Sequence, residues 1–214
     1  MTGVFGGSFN PPHVGHAAVA RAAADAAGLA RVLWVPAATP PHKQGDPDLA
    51  PAPDRLAMAR LAVAGEARFA VSDLELARDG VSYTVDTLRA LRASGEGELA
   101  LLLGGDSLAG FAGWREPREI LRLARLVAYA RPGADLGAVP DWVLDRTTMV
   151  DAPPLDVSST SVRARLRAGR PVDGLIEASV EAYIRERGLY GAGPRGDLSS
   201  RGDLSSRGTA PPEG

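Results

Sequence analysis

The sequence predicts an α/β protein built on a single doubly wound parallel sheet. Short aliphatic runs alternate with longer stretches of helical periodicity, which is typical of a parallel sheet covered by helices. The chain has 214 residues, and 45% of them are hydrophobic. This apolar share is enough to bury one core without covalent cross-links.

Six strands are predicted from runs that are bounded by glycine, proline or charged residues. They are Gly3–Phe5, Arg31–Val35, Phe69–Ser72, Leu99–Leu103, Leu126–Ala130 and Thr147–Asp151. Six helices are predicted beside them, several opened by Ser, Thr, Asp or Pro at capping positions. They are Gly15–Ala27, Pro53–Ala64, Thr84–Ser94, Pro117–Ala124, Thr160–Ala168 and Ile176–Arg187. The alternation predicts a Rossmann-like sheet followed by C-terminal helices.

Two segments fall outside this alternation. Ala37 to Ala52 is rich in proline and glycine, so we expect a long loop, and long loops in compact domains are usually functional or mobile. After Tyr190 the hexapeptide Arg-Gly-Asp-Leu-Ser-Ser occurs twice and a third copy begins. Such a segment buries too little apolar surface to offset its ordering entropy. The prediction is therefore a domain over 1–190 and a low-complexity, disordered tail over 191–214.

Composition excludes several classes of function. The chain has no cysteine, which rules out disulfides, thiolate metal clusters and a cysteine nucleophile. A formal net charge of −2 argues against a dedicated nucleic-acid binder. We find no apolar run long enough for a membrane span and no signal-peptide pattern, so we expect a cytoplasmic protein without a membrane partner.

The first candidate site follows the first predicted strand and reads Gly-Gly-Ser-Phe-Asn-Pro-Pro-His-Val-Gly-His from Gly6 to His16. A strand, a glycine turn and a helix start form a phosphate-binding geometry, because main-chain N–H groups and the helix dipole face the anion. His13 and His16 are three residues apart and share one helical face. Their imidazoles can therefore converge on one phosphoryl group and stabilise charge that develops on its oxygens.

Histidine and lysine are scarce in this chain, so a position that has one of them is a candidate for a function that needs that side chain. The three histidines are His13, His16 and His42, and Lys43 is the single lysine among 24 lysine and arginine residues. His42 and Lys43 lie in the proline-rich loop, where basic side chains could neutralise a bound phosphate.

Two further segments could bind a nucleotide. Ser159 and Thr160 are predicted to cap a helix, and Arg163 just inside it can grip phosphate oxygens with its planar fork of donors. Gly104 and Asp106 follow a buried strand, at the edge where open α/β sheets bind ligands, and a carboxylate there can accept hydrogen bonds from ribose hydroxyls.

These motifs together resemble a known family. The string from Gly6 to His16 is similar to the signature of the nucleotidylyltransferase superfamily with a His-x-Gly-His motif. The order of the remaining landmarks resembles bacterial nicotinate-nucleotide adenylyltransferases, and the resemblance runs from Met1 to Tyr190. Those landmarks are Pro40-Pro41-His42-Lys43, Ser82-Tyr83-Thr84, Gly104 to Leu108 with Phe111 and Trp114, Arg131-Pro132-Gly133, and Ser158 to Arg163. Many family members carry Asp where this chain has Asn10.

The resemblance implies transfer of AMP from ATP to nicotinate mononucleotide, giving nicotinate adenine dinucleotide and pyrophosphate. The implied roles are catalysis by His13, His16 and Arg163, ATP binding by Gly6, Gly7, Ser8, Phe9, Gly104, Asp106, Ser159 and Thr160, and acceptor binding by His42, Lys43, Tyr83, Thr84, Trp114 and Arg131. Trp114 is suited to stack on the pyridine ring. Mg²⁺ would arrive on ATP, with no protein metal ligand, and we expect a monomer or a small homo-oligomer.

Three alternatives stay open at this point. Another transferase of the superfamily could act on phosphopantetheine, glycerol phosphate or nicotinamide mononucleotide. A nucleotide-binding regulator could have lost catalysis, although the intact histidine pair argues against it. An adhesion protein acting through the Arg-Gly-Asp repeats is the third, and a chance repeat explains them better.

Overall fold

A six-stranded parallel sheet forms the centre of the protein in the computed structural model, which describes residues 1–78, 80–129, 137–151 and 156–193. Its strands are β1 (Thr2–Gly7), β2 (Arg31–Pro36), β3 (Phe69–Val71), β4 (Leu99–Gly104), β5 (Ala124–Tyr129) and β6 (Thr147–Val150). Their spatial order is β3-β2-β1-β4-β5-β6, and every pairing is parallel. This confirms the predicted doubly wound sheet. The strand order reverses between β1 and β4, which makes their carboxyl ends the place where such folds bind ligands.

Eight α-helices accompany the sheet in the described part of the chain. They are α1 (Val14–Ala26), α2 (Ala52–Val63), α3 (Thr84–Ala93), α4 (Gly105–Ala109), α5 (Pro117–Leu123), α6 (Asp141–Leu144), α7 (Ser159–Arg167) and α8 (Ala178–Glu186). Six of them match predicted helices within two residues at either end. The other two, α4 and α6, are single turns of five and four residues, too short to carry a helical period. The predicted loop after β2 holds one turn of 3₁₀ helix, Pro41–Lys43.

The sheet is buried on both faces, as a parallel sheet requires. Side chains alternate along each strand, so Val4 faces one side and its neighbour Phe5 the other. The Val4 side packs against α3 and α5, and the Phe5 side packs against the alanine-rich face of α1. This alternation is why the central strands read as nearly continuous apolar runs in the sequence.

A third apolar cluster joins the C-terminal helices to the rest of the domain. Val162 and Leu166 of α7 and Ile184 of α8 pack with Met58 of α2. Ala192 belongs to the same cluster and is 4% exposed, so packed structure extends at least to Ala192, two residues past residue 190. Residues 194–214 lie outside the described residues, and the tail prediction stays a prediction. Within the described ranges, none of the helices has the length and apolarity to cross a membrane.

Candidate active site

The histidine pair lies where the chain leaves β1 and enters α1. His13 is the N-cap of α1, and its main-chain N–H donates to Nδ1 of His16 at 3.1 Å. The two imidazole centroids are 3.7 Å apart, with an angle of 33° between the ring planes. The three-residue spacing therefore brings the rings together, as the sequence predicted.

The proton of His16 is fixed by this geometry. Its Nδ1 accepts a hydrogen bond, so the neutral ring carries its proton on Nε2. Burial lowers the pKa of His16 well below 6.5, and repulsion from His13 lowers it further. Aromatic rings of Phe5, Phe9 and Trp34 surround the imidazole at centroid distances of 5.2 to 6.1 Å. His16 thus stands as an uncharged donor with a set tautomer.

His16 lines a cavity of about 240 Å³ at the carboxyl ends of β1 and β4. Gly6, Gly7, Gly104 and Asp106, all predicted from the sequence, line the same cavity. A Cβ atom at Gly6 would meet no other atom within 4 Å, so the main chain there is open to an approaching ligand. The carboxyl ends of β1 and β4, where the strand order reverses, therefore form a cleft that is lined by glycine main chain and by the imidazole of His16.

A second cavity of about 370 Å³ adjoins the first. Tyr83 and Thr84, at the start of α3, line it together with Ser8. The two cavities share part of their walls, including Gly6, Gly7, Ser107 and Trp114. Trp114 packs against Phe111 at a centroid distance of 5.5 Å and reaches both cavities. Two separate ligands can therefore meet at the glycine turn.

Cations collect beside the histidines. Arg163 is 7% exposed, and its Nη1 donates to the main-chain oxygen of Asn10 at 2.9 Å, while Nη2 lies 3.8 Å from a carboxylate oxygen of Asp48. Burial lowers the pKa of Lys43, and repulsion from Arg163 lowers it again. Lys43 in turn contributes to the lowered pKa of His16. Lys43 is therefore close enough to both Arg163 and His16 to influence them, and the two basic side chains favour a bound anion.

The N-terminus of α7 differs in detail from its prediction. Ser158 is the N-cap instead of the predicted Ser159–Thr160 pair, since its side chain accepts from the Ser161 N–H at 3.1 Å in a capping box. Ser159 donates its hydroxyl to the Pro11 carbonyl at 2.9 Å, which ties α7 to the loop before His13. Thr160 is exposed. Neither hydroxyl nor Arg163 lines the two cavities.

The other predicted site residues have varied positions. Phe9 is 2% exposed with a left-handed main chain (φ 46°), and its ring stacks on Trp34 beneath the histidines. His42 lies in the 3₁₀ turn Pro41–Lys43. Arg131 falls outside the described residues. The assignments of individual roles remain predictions.

Sequence reasoning missed Arg55, which is 1% exposed on α2. Its guanidinium donates to four main-chain carbonyls, those of Ser8, Ala37, Ala38 and Ala50, at 2.6 to 3.0 Å. Ser8 and Ala37 both line the second cavity. A helical arginine usually faces solvent, and with 24 basic residues in the chain nothing in the sequence distinguished this one.

Glu75 was missed as well. It is 7% exposed, accepts from the Thr87 hydroxyl at 2.5 Å and lines the second cavity. A carboxylate so deeply buried needs donors around it, and Thr87 itself receives a hydrogen bond from Arg78 at 2.7 Å. These hydrogen bonds hold the first turn of α3, where Tyr83 and Thr84 lie, against the wall of the second cavity.

The doubly wound sheet, the glycine turn and the cleft at the switch point define a nucleotide-binding α/β protein. The model of the cytidylyltransferase-like family matches residues 4–165. A protein of Salinibacter ruber named "Probable nicotinate-nucleotide adenylyltransferase" is 46% identical over 189 residues, covering 88% of this chain and 96% of the relative. One of the same name from Thermus thermophilus is 45% identical, with coverage of 88% and 98%.

The chain therefore belongs to the cytidylyltransferase-like family and, within it, to the nicotinate-nucleotide adenylyltransferases. The nicotinic acid mononucleotide adenylyltransferase of Plasmodium falciparum, solved in complex with NaAD, has a similar fold with a TM-score of 0.70. It is 17% identical, and the match covers 89% of this chain and 97% of that one.

The buried position of Arg55 yields a stability prediction. Arg55→Lys leaves at least one of the four carbonyls without a donor, because an ammonium has three N–H groups and lacks the planar fork of a guanidinium. We expect a loss of about 2–4 kcal/mol in the free energy of unfolding, measured with urea. Arg60→Lys is the control on the same helix, since Arg60 makes an exposed ion pair with Asp73 and its replacement should cost under about 0.5 kcal/mol. Equal losses for the two variants would contradict the account.

The pKa of His16 yields a pH prediction. Below pH 6.5 the unfolded chain takes up a proton at His16 that the native protein excludes, so this group makes stability fall as the pH drops, by at most about 1.4 kcal/mol per pH unit. His16→Asn removes the titrating group while an amide oxygen can still accept from the His13 N–H. We expect urea unfolding at pH 7.5, 6.5 and 5.5 to give a shallower decline for the variant. Parallel declines would rule out a neutral native His16.

Proposed function

We propose that this protein transfers the adenylyl group of ATP to nicotinate mononucleotide, giving nicotinate adenine dinucleotide and pyrophosphate. The pair of adjoining cavities carries the proposal. A group transfer between two nucleotides needs two ligand spaces that meet at the reacting phosphorus, and the shared wall at Gly6 and Gly7 provides such a junction. A regulator that binds one nucleotide would need only one of them.

ATP occupies the first cavity, with its ribose near Asp106 and its α-phosphate at the glycine turn. Asp106 is exposed and can accept from ribose hydroxyls. Nicotinate mononucleotide occupies the second cavity, where Trp114 offers a face to the pyridine ring and Tyr83 and Thr84 flank it. Its phosphate points back to the same turn. His42, Lys43 and Arg131 are proposed to bind this acceptor, as the family resemblance implies.

The acceptor phosphate is the nucleophile. A phosphate monoester is already ionised at neutral pH, so the reaction needs no general base from the protein. One of its oxygens forms a bond to the α-phosphorus of ATP as the bond from that phosphorus to the bridging oxygen of pyrophosphate breaks, in line. The protein contributes alignment and charge stabilisation.

His16 donates its Nε2–H to an α-phosphoryl oxygen on which negative charge grows. The tautomer is set before substrate arrives, because Nδ1 is already occupied by the His13 N–H. A preset donor in a largely dry position has little reorganisation to undergo during the reaction. His13, whose ring lies 3.7 Å from that of His16, contacts the same phosphoryl group.

Pyrophosphate leaves toward Lys43 and Arg163. Burial and repulsion from Arg163 both lower the pKa of Lys43, and a polyanion bound between the two side chains relieves that repulsion. The first turn of α7, with Ser159 and Thr160, adds main-chain donors. The substrate is proposed to be MgATP, with Mg²⁺ carried on the phosphates.

We also propose that the enzyme works in the cytoplasm as a monomer or small homo-oligomer, and that nucleic acids are not among its partners. A net charge of −2 and the absence of cysteine are compatible with this assignment.

Pyrophosphate release from MgATP over a panel of acceptors tests the proposal. The panel contains nicotinate mononucleotide, nicotinamide mononucleotide, phosphopantetheine and glycerol phosphate, and we expect nicotinate mononucleotide to be used best. His16→Ala should lower turnover by about 100-fold or more at unchanged folding, checked by circular dichroism. ATP binding without turnover for any acceptor would support a regulator, and near-normal turnover of His16→Ala would remove His16 from the mechanism.

A further inference from the structure

Asn10 joins several distant segments three residues before His13. Its side-chain Nδ2 donates to the Asp48 carbonyl at 2.9 Å, and its Oδ1 accepts from the Ala50 N–H at 3.0 Å. Its main-chain oxygen accepts from Nη1 of Arg163 at 2.9 Å. The residue is 1% exposed, so none of these bonds exchanges readily with water. Asn10 therefore provides one of the contacts that position the Arg163 guanidinium.

Tyr190 makes the remaining contact from the far end of the domain. Its hydroxyl donates to Oδ1 of Asn10 at 2.7 Å. Burial raises the pKa of Tyr190, so the phenol stays protonated and keeps this donor at physiological pH. The main chain of Tyr190 is left-handed (φ 57°, ψ 21°), which is unfavourable for a residue with a Cβ. Such a conformation persists where surrounding contacts enforce it.

We propose that Tyr190 is a positioning residue for adenylyl transfer. Through Asn10 it holds the loop between β1 and α1 in the one arrangement that places Arg163 on one side of the histidine pair. The inference rests on the proposed function and extends it, because neither the histidine motif nor the start of α7 includes this C-terminal tyrosine.

The chain supplies a matched control for a merely structural role. Tyr183 on α8 makes a hydrogen bond of the same kind, from its hydroxyl to Oδ1 of Asp54 at 2.8 Å. That bond attaches α8 to α2 and contacts none of the residues of the proposed reaction. Removal of either hydroxyl costs one partly buried hydrogen bond, and only one of the two bonds reaches Asn10.

Tyr190→Phe and Tyr183→Phe in the full chain separate positioning from stability. We expect Tyr190→Phe to lower kcat for MgATP and nicotinate mononucleotide by about fivefold and to raise the Kd of ATP by a similar factor, as loss of one buried hydrogen bond implies. The KM of the acceptor should change by less than about twofold. Tyr183→Phe should leave kcat and the ATP Kd within about twofold of the wild type, although it also removes a hydrogen bond and lowers thermal stability.

A double-mutant cycle checks the route of the effect. If Tyr190 acts through Asn10, Tyr190→Phe should add almost nothing to the kcat loss already caused by Asn10→Ala. An unchanged kcat and ATP Kd in Tyr190→Phe, equal losses in Tyr183→Phe, or full additivity with Asn10→Ala would each overturn the inference. A wild type that releases no pyrophosphate with nicotinate mononucleotide would overturn the proposed function instead, and the ATP Kd values would still decide the role of Tyr190.

Discussion

The buried guanidinium of Arg55 holds the site together. Among the described residues, Arg55 has no carboxylate hydrogen-bonded to it; its guanidinium donates to four main-chain carbonyls, and the buried carboxylate of Glu75 adds a longer-range attraction. The Ser8 carbonyl follows the glycine turn, and the Ala50 carbonyl lies just before α2. The other two carbonyls, of Ala37 and Ala38, directly follow β2. A charge this deeply buried is tolerated only when its donors are used, so each carbonyl has a fixed place. Arg55 thereby ties the loop after β1, the loop after β2 and the segment before α2 to one guanidinium.

The site is assembled from both ends of the chain. The sheet positions the glycine turn and the histidines at the switch point between β1 and β4, which follows directly from the strand order. Lys43 comes from the proline-rich loop, while Arg163 comes from α7, more than a hundred residues later, and rests on the Asn10 carbonyl. The third apolar cluster packs α7 and α8 against α2. The position of Arg163 relative to the cleft therefore depends on packing that lies away from the cleft.

Much of the fold could be predicted because it depends on local signals. Aliphatic runs such as Leu99–Leu103 mark strands buried on both faces, and proline or hydroxyl residues mark helix starts. The convergence of His13 and His16 follows from helical spacing alone. The adjoining cavities could not be derived from spacing, although Tyr83, Thr84 and Trp114 were named for one of them through the family resemblance.

Other features depend on contacts between residues far apart in sequence. Arg55 and the Tyr190 to Asn10 hydrogen bond have no local signature, because an arginine on a helix and a tyrosine near the end of a domain are ordinary residues. The cap of α7 was placed one residue late, since Ser158, Ser159 and Thr160 all have the side chain that caps a helix. Only the capping box with Ser161 selects among them. The helix α4 was not predicted, because a single turn carries no helical period.

A crystal structure with bound nicotinate adenine dinucleotide tests the central claim most directly. The account predicts the adenylyl half in the cavity beside Gly104 and Asp106, the pyridine half against Trp114, and Nε2 of His16 within about 3 Å of an oxygen on the phosphate between them. Both halves of the dinucleotide in one cavity, or a His16 ring turned so that Nε2 faces away from the phosphate, would contradict it.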